Sequence, residues 1–319
     1  MKFELSYGVG PLLYMPAFQV NIVEKIKNNA IEGLTSICLC LEDSINEKSL
    51  KEAEKSLLFI LSQLCDLAKN GTKLPLVFIR VRSYQHLKEL YKSVLEYQDA
   101  LTGFVFPKVD GKNSHHYASL MKRINKEANR KIWFMPILES ECVYNPESRR
   151  RCLLSIKKAF KCVDEYLLNY RVGANDLCSL SGVRRAPGMT IYEILIISSI
   201  FAEILNIFSR EYVVSGPVYD YFDNGQSSSW KETFIKEIRL DLSNGFVGKT
   251  IIHPSQAKPV IDELKVEKDV LEQAKKILNW SDDKLGVQKD NSFGRMDEKK
   301  TNQIWAEKII TLAKIYGEK

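Results

Sequence analysis

The chain has 319 residues, 45% of them hydrophobic and 27% charged, the ordinary balance of a globular protein that buries a sizeable core. Its formal net charge of +6 is spread along stretches that also carry Glu and Asp. No basic run alternates with aromatics, so nucleic acid is not an expected partner. The opening MKFELSYGVGPLLYMP lacks the basic start, long apolar run and small-residue cleavage site of a secretory signal. The most apolar segment, 191–208, is interrupted by Glu193, Glu203 and Asn206, which argues against a membrane span. Seven cysteines form no CxxC pair and stand apart from the four histidines, so they are expected as reduced thiols in a cytoplasmic protein.

Short apolar runs alternate with longer amphipathic stretches from end to end. In chain order, strands are expected at 12–15, 36–41, 76–81, 103–107, 132–138, 166–172, 212–215 and 249–252. Each is short and bounded by Gly, Pro or a polar turn, as buried parallel strands are. Between them the pattern predicts helices such as 47–69, 87–100, 113–130 and 147–161. Eight strands, each followed by a helix, match a (β/α)8 TIM barrel. A doubly wound open sheet also reads as alternating βα units, and the count of eight favours the barrel.

The barrel is expected over 1–264, with 265–319 as a C-terminal helical extension. Within the extension, helices are expected at 266–279 and 299–316, with a polar loop at 281–294 between them. The last helix repeats apolar residues at Ile304, Ala306, Ile309, Ile310, Leu312 and Ala313. That face must be buried on its own barrel or on a neighbour's, and a homo-oligomer is expected.

Residues at the C-terminal ends of barrel strands converge on one mouth. There the second strand supplies Glu42 and Asp43, the third Arg80 and Arg82, the fourth Lys108, the fifth Glu139 and the sixth Asn175 and Asp176. Glu139 and Asp176 stand one βα repeat apart, which puts them on neighbouring strands. Two carboxylates in a dry pocket repel each other unless a cation neutralises them. Oxygen ligands with positions left open for water and substrate suit Mg²⁺ better than Zn²⁺. The competing reading is structural: a lone carboxylate at a strand end is more often a cap or a surface ion pair, and Arg80 then pairs with Glu42 or Asp43. Burying so much charge without function is costly, however. Arg80 presents a planar fork for a substrate carboxylate, and of Arg80 and Arg82 only one is expected to face the pocket. The small residues Gly173 and Ala174, with Asn175, let backbone N–H groups approach a substrate carboxylate or enolate oxygen. No Ser-His-Asp arrangement, GxGxxG or GxxxxGK[ST] supports another chemistry, and Gly245-Phe246-Val247-Gly248-Lys249 precedes a strand instead of opening a helix.

Read in order, these segments resemble the citrate lyase β-subunit-like proteins of the HpcH/HpaI aldolase superfamily. The resemblance is carried by Leu12-Leu13-Tyr14-Met15-Pro16, Leu41-Glu42-Asp43-Ser44, Ile79-Arg80-Val81 and Phe106-Pro107-Lys108-Val109. It continues through Pro136-Ile137-Leu138-Glu139-Ser140, Gly173-Ala174-Asn175-Asp176-Leu177 and Gly245 to Lys249 with His253-Pro254-Ser255-Gln256. It implies a Mg²⁺-dependent barrel that cleaves or forms carbon–carbon bonds in 2-oxo acids or acyl-CoA thioesters. By the same resemblance Glu139 and Asp176 hold the metal, and Arg80 binds the substrate carboxylate. The metal polarises the 2-oxo and carboxylate oxygens and stabilises an enolate. Glu42 and Asp43 orient Arg80 or a metal-bound water, and Lys108 joins the catalytic set.

The chain also departs from the pattern. Cys40 stands where an acid usually precedes Leu-Glu-Asp, and no histidine occupies the early strand ends, which leaves the general base unassigned. In several relatives a C-terminal acid reaches a neighbour's site, and Asp297 and Glu298 are the candidates here. The stretches Ser181 to Arg185 and Ser215 to Phe222 look like a bacterial subgroup of carbon–carbon bond lyases that accompanies stress- or tellurite-resistance gene sets. In that case Arg184 and Arg185 would meet an anionic substrate. The alternative function is a non-catalytic metabolite-binding barrel that serves as a partner in a biosynthetic or stress-response complex.

Overall fold

A computed structural model describes residues 2–225, 229–280, 286–290 and 294–319. Eight parallel strands form its centre: β1 (Pro11–Pro16), β2 (Ser36–Cys40), β3 (Leu76–Arg80), β4 (Gly103–Phe106), β5 (Trp133–Leu138), β6 (Asn169–Val172), β7 (Val213–Ser215) and β8 (Lys249–Ile251). Each pairs with its sequence neighbour, and β8 returns to β1. The remaining seam, between β7 and β8, is closed by Val247 N–H to Val214 C=O at 2.8 Å, Gly216 N–H to Gly248 C=O at 2.9 Å and Thr250 N–H to Gly216 C=O at 3.1 Å. The sheet is therefore a closed (β/α)8 barrel, and the open-sheet alternative falls away.

Around it lie α1 (Lys2–Gly8), α2 (Ile22–Lys27), α3 (Leu50–Lys69), α4 (Tyr84–Leu95), α5 (Asn113–Glu127), α6 (Glu141–Tyr144), α7 (Pro146–Lys161), α8 (Ala174–Leu180), α9 (Leu195–Phe208), α10 (Ser229–Asn244) and α11 (Ala257–Leu264). Strand alternation sorts the core into two layers. Leu12, Cys38, Phe78, Val105, Met135 and Ile137 pack inside the barrel, while Ile37, Leu39, Val77 and Ile79 pack outward against the helices. At the N-terminal end, Leu5 of α1 and Val9 join the inner layer and plug the barrel floor. The chemistry is left to the other end. Among the described residues, no helix is long and apolar enough to cross a membrane.

Beyond the barrel come α12 (Lys268–Leu278), an antiparallel hairpin of β9 (Val287–Asp290) and β10 (Arg295–Glu298), and α13 (Lys299–Tyr316). The hairpin replaces much of the loop expected at 281–294, of which 281–285 and 291–293 lie outside the described residues. Apart from Ile304, which is exposed, the apolar face of α13 packs on its own chain. Ala306 meets Ala274 and Ile277 of α12, and the Tyr316 hydroxyl donates to the Tyr7 carbonyl at 2.6 Å. Most of that face is therefore buried without a neighbour.

Two expectations are corrected. Cys142 of α6 and Cys152 of α7 form a disulfide, where all seven cysteines were expected to be free. The break between α6 and α7 at Asn145 brings their Cα atoms to 6.1 Å, a proximity that spacing alone does not reveal. Arg185 does not reach the mouth. It is 3% exposed, it pairs with Glu237 at 2.7 Å, and it shares a buried network with Lys249, whose Nζ lies 2.9 Å from Glu237 and 2.6 Å from Asp241. Arg184 is simply exposed. Replacing Lys249 by Met would leave two buried acids short of a countercharge and should cost about 3–5 kcal/mol. A thermal melt unchanged from the parent would show that the network does not stabilise the fold.

Candidate functional site

The strand ends converge as the barrel topology requires. Arg80, at the end of β3, is 8% exposed and stands among three acids. Its Nη2 lies 2.8 Å from Glu42, 3.2 Å from Asp43 and 3.2 Å from Glu139. Its guanidinium sits 5.9 Å from the centre of the Tyr14 ring on β1. The ion pairs of the structural reading therefore form, and they form inside the mouth instead of on the outer surface. Arg82 is absent from the cavity lining. Strand alternation would have kept Arg80 and Arg82 on one face, so it is the end of β3 at Arg80 that separates them.

After β4 the chain turns sharply at Lys108, whose φ of 49° is an uncommon left-handed conformation for a residue with a side chain. The turn aims both ends of the residue at the acids. Its backbone N–H donates to Glu139 Oε1 at 3.0 Å. Its Nζ lies 2.9 Å from Glu42, 3.2 Å from Asp43 and 3.5 Å from Asp176. Burial pushes the Glu42 carboxyl upward, reinforced by its hydrogen bond with Asp43 and opposed by Arg80 and Lys108. Burial pushes Asp43 in the same direction, but Glu42, Arg80 and Lys108 outweigh it and hold that carboxyl low. Of this adjacent pair, Glu42 is the one that keeps a proton more readily.

Glu139 follows β5 and is 3% exposed. Its Oε1 accepts from both Lys108 N–H and Arg80, while Oε2 takes no hydrogen bond among the described residues. Oε2 lies over the bare backbone of Gly173, where an added Cβ would come within 1.8 Å of it. Desolvation drives the Glu139 carboxyl up to about 8, with repulsion from Asp176 and Glu42 adding to it and Arg80 opposing. Asp176 sits in the first turn of α8, half-buried, and borders the same cavity. This donor set fits a hard divalent cation: two acids with an unused oxygen, one of them strongly desolvated, and no sulfur or imidazole between them. No group of three or more His, Cys, Asp or Glu placed to hold a metal occurs among the described residues, so water and substrate would complete the shell.

The mouth cavity has a volume of about 190 Å³. Of the residues expected from sequence, Asp43, Arg80, Glu139, Gly173, Ala174, Asn175 and Asp176 line it, while Glu42 and Lys108 sit behind them through their ion pairs. The Asn175 amide is engaged, donating to Asp220 at 2.7 Å. Asp297 is held within the extension by Gln273 at 3.0 Å and is 6% exposed, and Glu298 accepts from Thr301. Sequence reasoning overlooked Tyr14, Arg171 and Thr250, which also line the cavity. They lie within strands, whereas only residues following the apolar runs were weighed. An arginine inside an apolar run was the available signal.

Three solved structures share this architecture. The CitE protein of Mycobacterium tuberculosis, in complex with magnesium, acetoacetate and coenzyme A, is 19% identical with a TM-score of 0.60, over 96% of this chain and 98% of that one. A citrate lyase of Burkholderia xenovorans is 11% identical with a TM-score of 0.70, over 97% and 93%. RipC of Yersinia pestis is 17% identical with a TM-score of 0.56, over 81% and 95%. At such identities the likeness is one of fold. No curated protein matches the chain. The sequence pattern itself carries more: the family of C–C bond lyases of the TIM-barrel fold matches residues 4–318, a span that takes in all eight strand ends and the extension, and the chain belongs to that family.

Proposed function

We propose that this protein is a Mg²⁺-dependent lyase or aldolase that breaks or forms a carbon–carbon bond in a 2-oxo acid or a related anionic substrate. The observation that carries the reading is Glu139, a desolvated carboxylate whose free Oε2 faces a small cavity beside Asp176. Similar proteins add support, since CitE of M. tuberculosis was solved with magnesium and acetoacetate, and a citrate lyase β subunit of that organism with oxaloacetate and magnesium.

In this reading Glu139 and Asp176 hold Mg²⁺, which supplies a Lewis acid for the charge that develops on the 2-oxo oxygen. Arg80 anchors Glu42, Asp43 and Glu139 together and presents its remaining edge to a substrate carboxylate. The Lys108 N–H fixes Glu139 Oε1, so that Oε2 stays turned toward the cavity. Gly173 and Ala174 let the substrate approach the backbone closely. Glu42 and Lys108, 2.9 Å apart behind the cavity lining, form an acid–base pair that steadies Arg80 and Asp43. A cavity of about 190 Å³ admits a small acid whole, and of an acyl-CoA only the acyl end.

One observation favours the alternative of a barrel that binds a metabolite without turning it over. Among the described residues no histidine lines the cavity, and each acid of the mouth has Arg80 or Lys108 within 3.5 Å. The two readings part in one experiment. The protein is incubated with Mg²⁺ and a panel of 4-hydroxy-2-oxo acids and 2-hydroxy dicarboxylic acids, free and as CoA thioesters. Release of a 2-oxo acid by the parent and not by Glu139→Gln is expected. Tight binding across the panel without any release would shift the conclusion to the metabolite-binding barrel.

A further inference from the structure

Below the mouth the barrel interior holds a charge with nothing to balance it. On β6, Tyr170 packs outward on Phe208, with ring centres 4.1 Å apart, so alternation turns the next residue, Arg171, into the barrel. Arg171 is 1% exposed. Its Nη2 donates to Thr250 Oγ1 at 2.7 Å, the Tyr14 hydroxyl approaches the guanidinium, its Nη1 has the Met135 sulfur at 4.0 Å, and its Nε has no partner. No carboxylate among the described residues pairs with it. The contrast with the other buried cations is sharp. Arg80, Arg149, Arg185 and Lys249 each have an acid within 3.5 Å.

A guanidinium does not escape burial by losing its proton at ordinary pH, and an isolated buried charge is strongly unfavourable. The Thr250 and Tyr14 hydroxyls and a thioether, all neutral, do not offset that. The missing anion has to come from outside the chain, and there is a route for it. Arg171 and Thr250 line the same cavity as Arg80, Glu139 and Asp176. At about 190 Å³ the cavity is smaller than those that take drug-sized ligands, and it suits a short acid.

We propose that Arg171, assisted by the Thr250 hydroxyl, binds a carboxylate of the substrate at the floor of the mouth cavity. The substrate then carries two anionic ends, one at the Glu139–Asp176 metal site and one at Arg171, which makes it a short dicarboxylic acid. This inference rests on the metal-site reading of the mouth, and its test keeps the two apart.

Mg²⁺ alone is titrated first into the parent, Arg171→Met and Arg171→Lys, and equal affinity is expected in all three. Pyruvate and freshly prepared oxaloacetate are then titrated in the presence of Mg²⁺, with inorganic phosphate as a further probe. The parent should favour oxaloacetate over pyruvate at least tenfold. Arg171→Met should lose ten- to a hundredfold in oxaloacetate affinity and little for pyruvate, with Arg171→Lys between, because it keeps the charge and loses the fork. Without ligand, Arg171→Met should melt at or above the parent's temperature, since an unpaired buried charge has been removed; an arginine with a purely structural role would give a lower melt. Oxaloacetate bound no tighter than pyruvate by the parent, equal oxaloacetate affinity in parent and Arg171→Met, or phosphate bound as tightly as oxaloacetate would each overturn the proposal. Preference for oxaloacetate that depends on Arg171, found without any Mg²⁺ binding, would keep Arg171 and sink the metal site.

Discussion

Glu139→Gln should abolish Mg²⁺ binding and lower turnover by about a hundred- to a thousandfold, while the metal-free protein stays as stable as its parent or becomes more so. The amide oxygen can still accept from Lys108 N–H and Arg80, the two bonds that Oε1 takes now. What is lost is the charge on the oxygen that faces the cavity. The sign of the stability change follows from the raised acid. Burial lifts the Glu139 carboxyl from its ordinary 4.5 to about 8, so between those values the folded state keeps a proton that the unfolded chain has released. Stability from this group is full below pH 4.5 and is lost as pH rises through about 8. By linkage the loss is at most on the order of 5 kcal/mol, and the Gln variant should lack it. The same shift means that Mg²⁺ binding at pH 7 should expel close to one proton, readable by calorimetry in buffers of different ionisation enthalpy. Parent-like Mg²⁺ affinity in Glu139→Gln would remove Glu139 from the metal site.

The barrel was legible because each strand is a short apolar run with a polar stop, and those stops are where the site lies. Strand ends at Leu138 and Val172 fell where the residues indicated, and Glu139 and Asp176 follow from them. What was hidden depended on direction or distance. Lys249 opens β8, yet its side chain runs outward to Glu237 and Asp241 of α10, and no local pattern reveals that. The Cys142–Cys152 pairing and the engagement of Asp297 by Gln273 depend on how short elements fold back on one another. Arg171 was overlooked for a different reason. It lies inside a run, where a packing residue is the ordinary expectation, and its significance shows only when its neighbours prove to contain no acid. The left-handed turn at Lys108 was equally silent, since a lysine gives none of the signals that Gly or Asn gives for that conformation.

Gly173→Ala, one added methyl group, should damage the site nearly as much as removing Glu139. The reason is not backbone strain, since φ −102° and ψ 83° lie outside the left-handed region that demands glycine. It is the neighbour. β5 and β6 are paired with Leu138 opposite Val172, so the residues that follow, Glu139 and Gly173, stand side by side. A Cβ on residue 173 would meet Glu139 at 1.8 Å from Oε2, 2.6 Å from Cβ and 2.8 Å from Cδ. Neither strand has room to withdraw, because each is hydrogen-bonded on its other side as well, β5 to β4 and β6 to β7. Glu139 must therefore swing away from the cavity, breaking its bonds to Arg80 and Lys108. Overpacking of this kind costs about 1–3 kcal/mol, and Mg²⁺ affinity should fall at least tenfold with it. A double-mutant cycle separates the clash from any general disturbance. In a Glu139→Ala background Oε2 and Cδ are gone but the Cβ contact remains, so adding Gly173→Ala should cost less than in the parent, though more than nothing. Strict additivity of the two melts, or Gly173→Ala with parent-like Mg²⁺ affinity, would show that the glycine is not what makes room for the carboxylate.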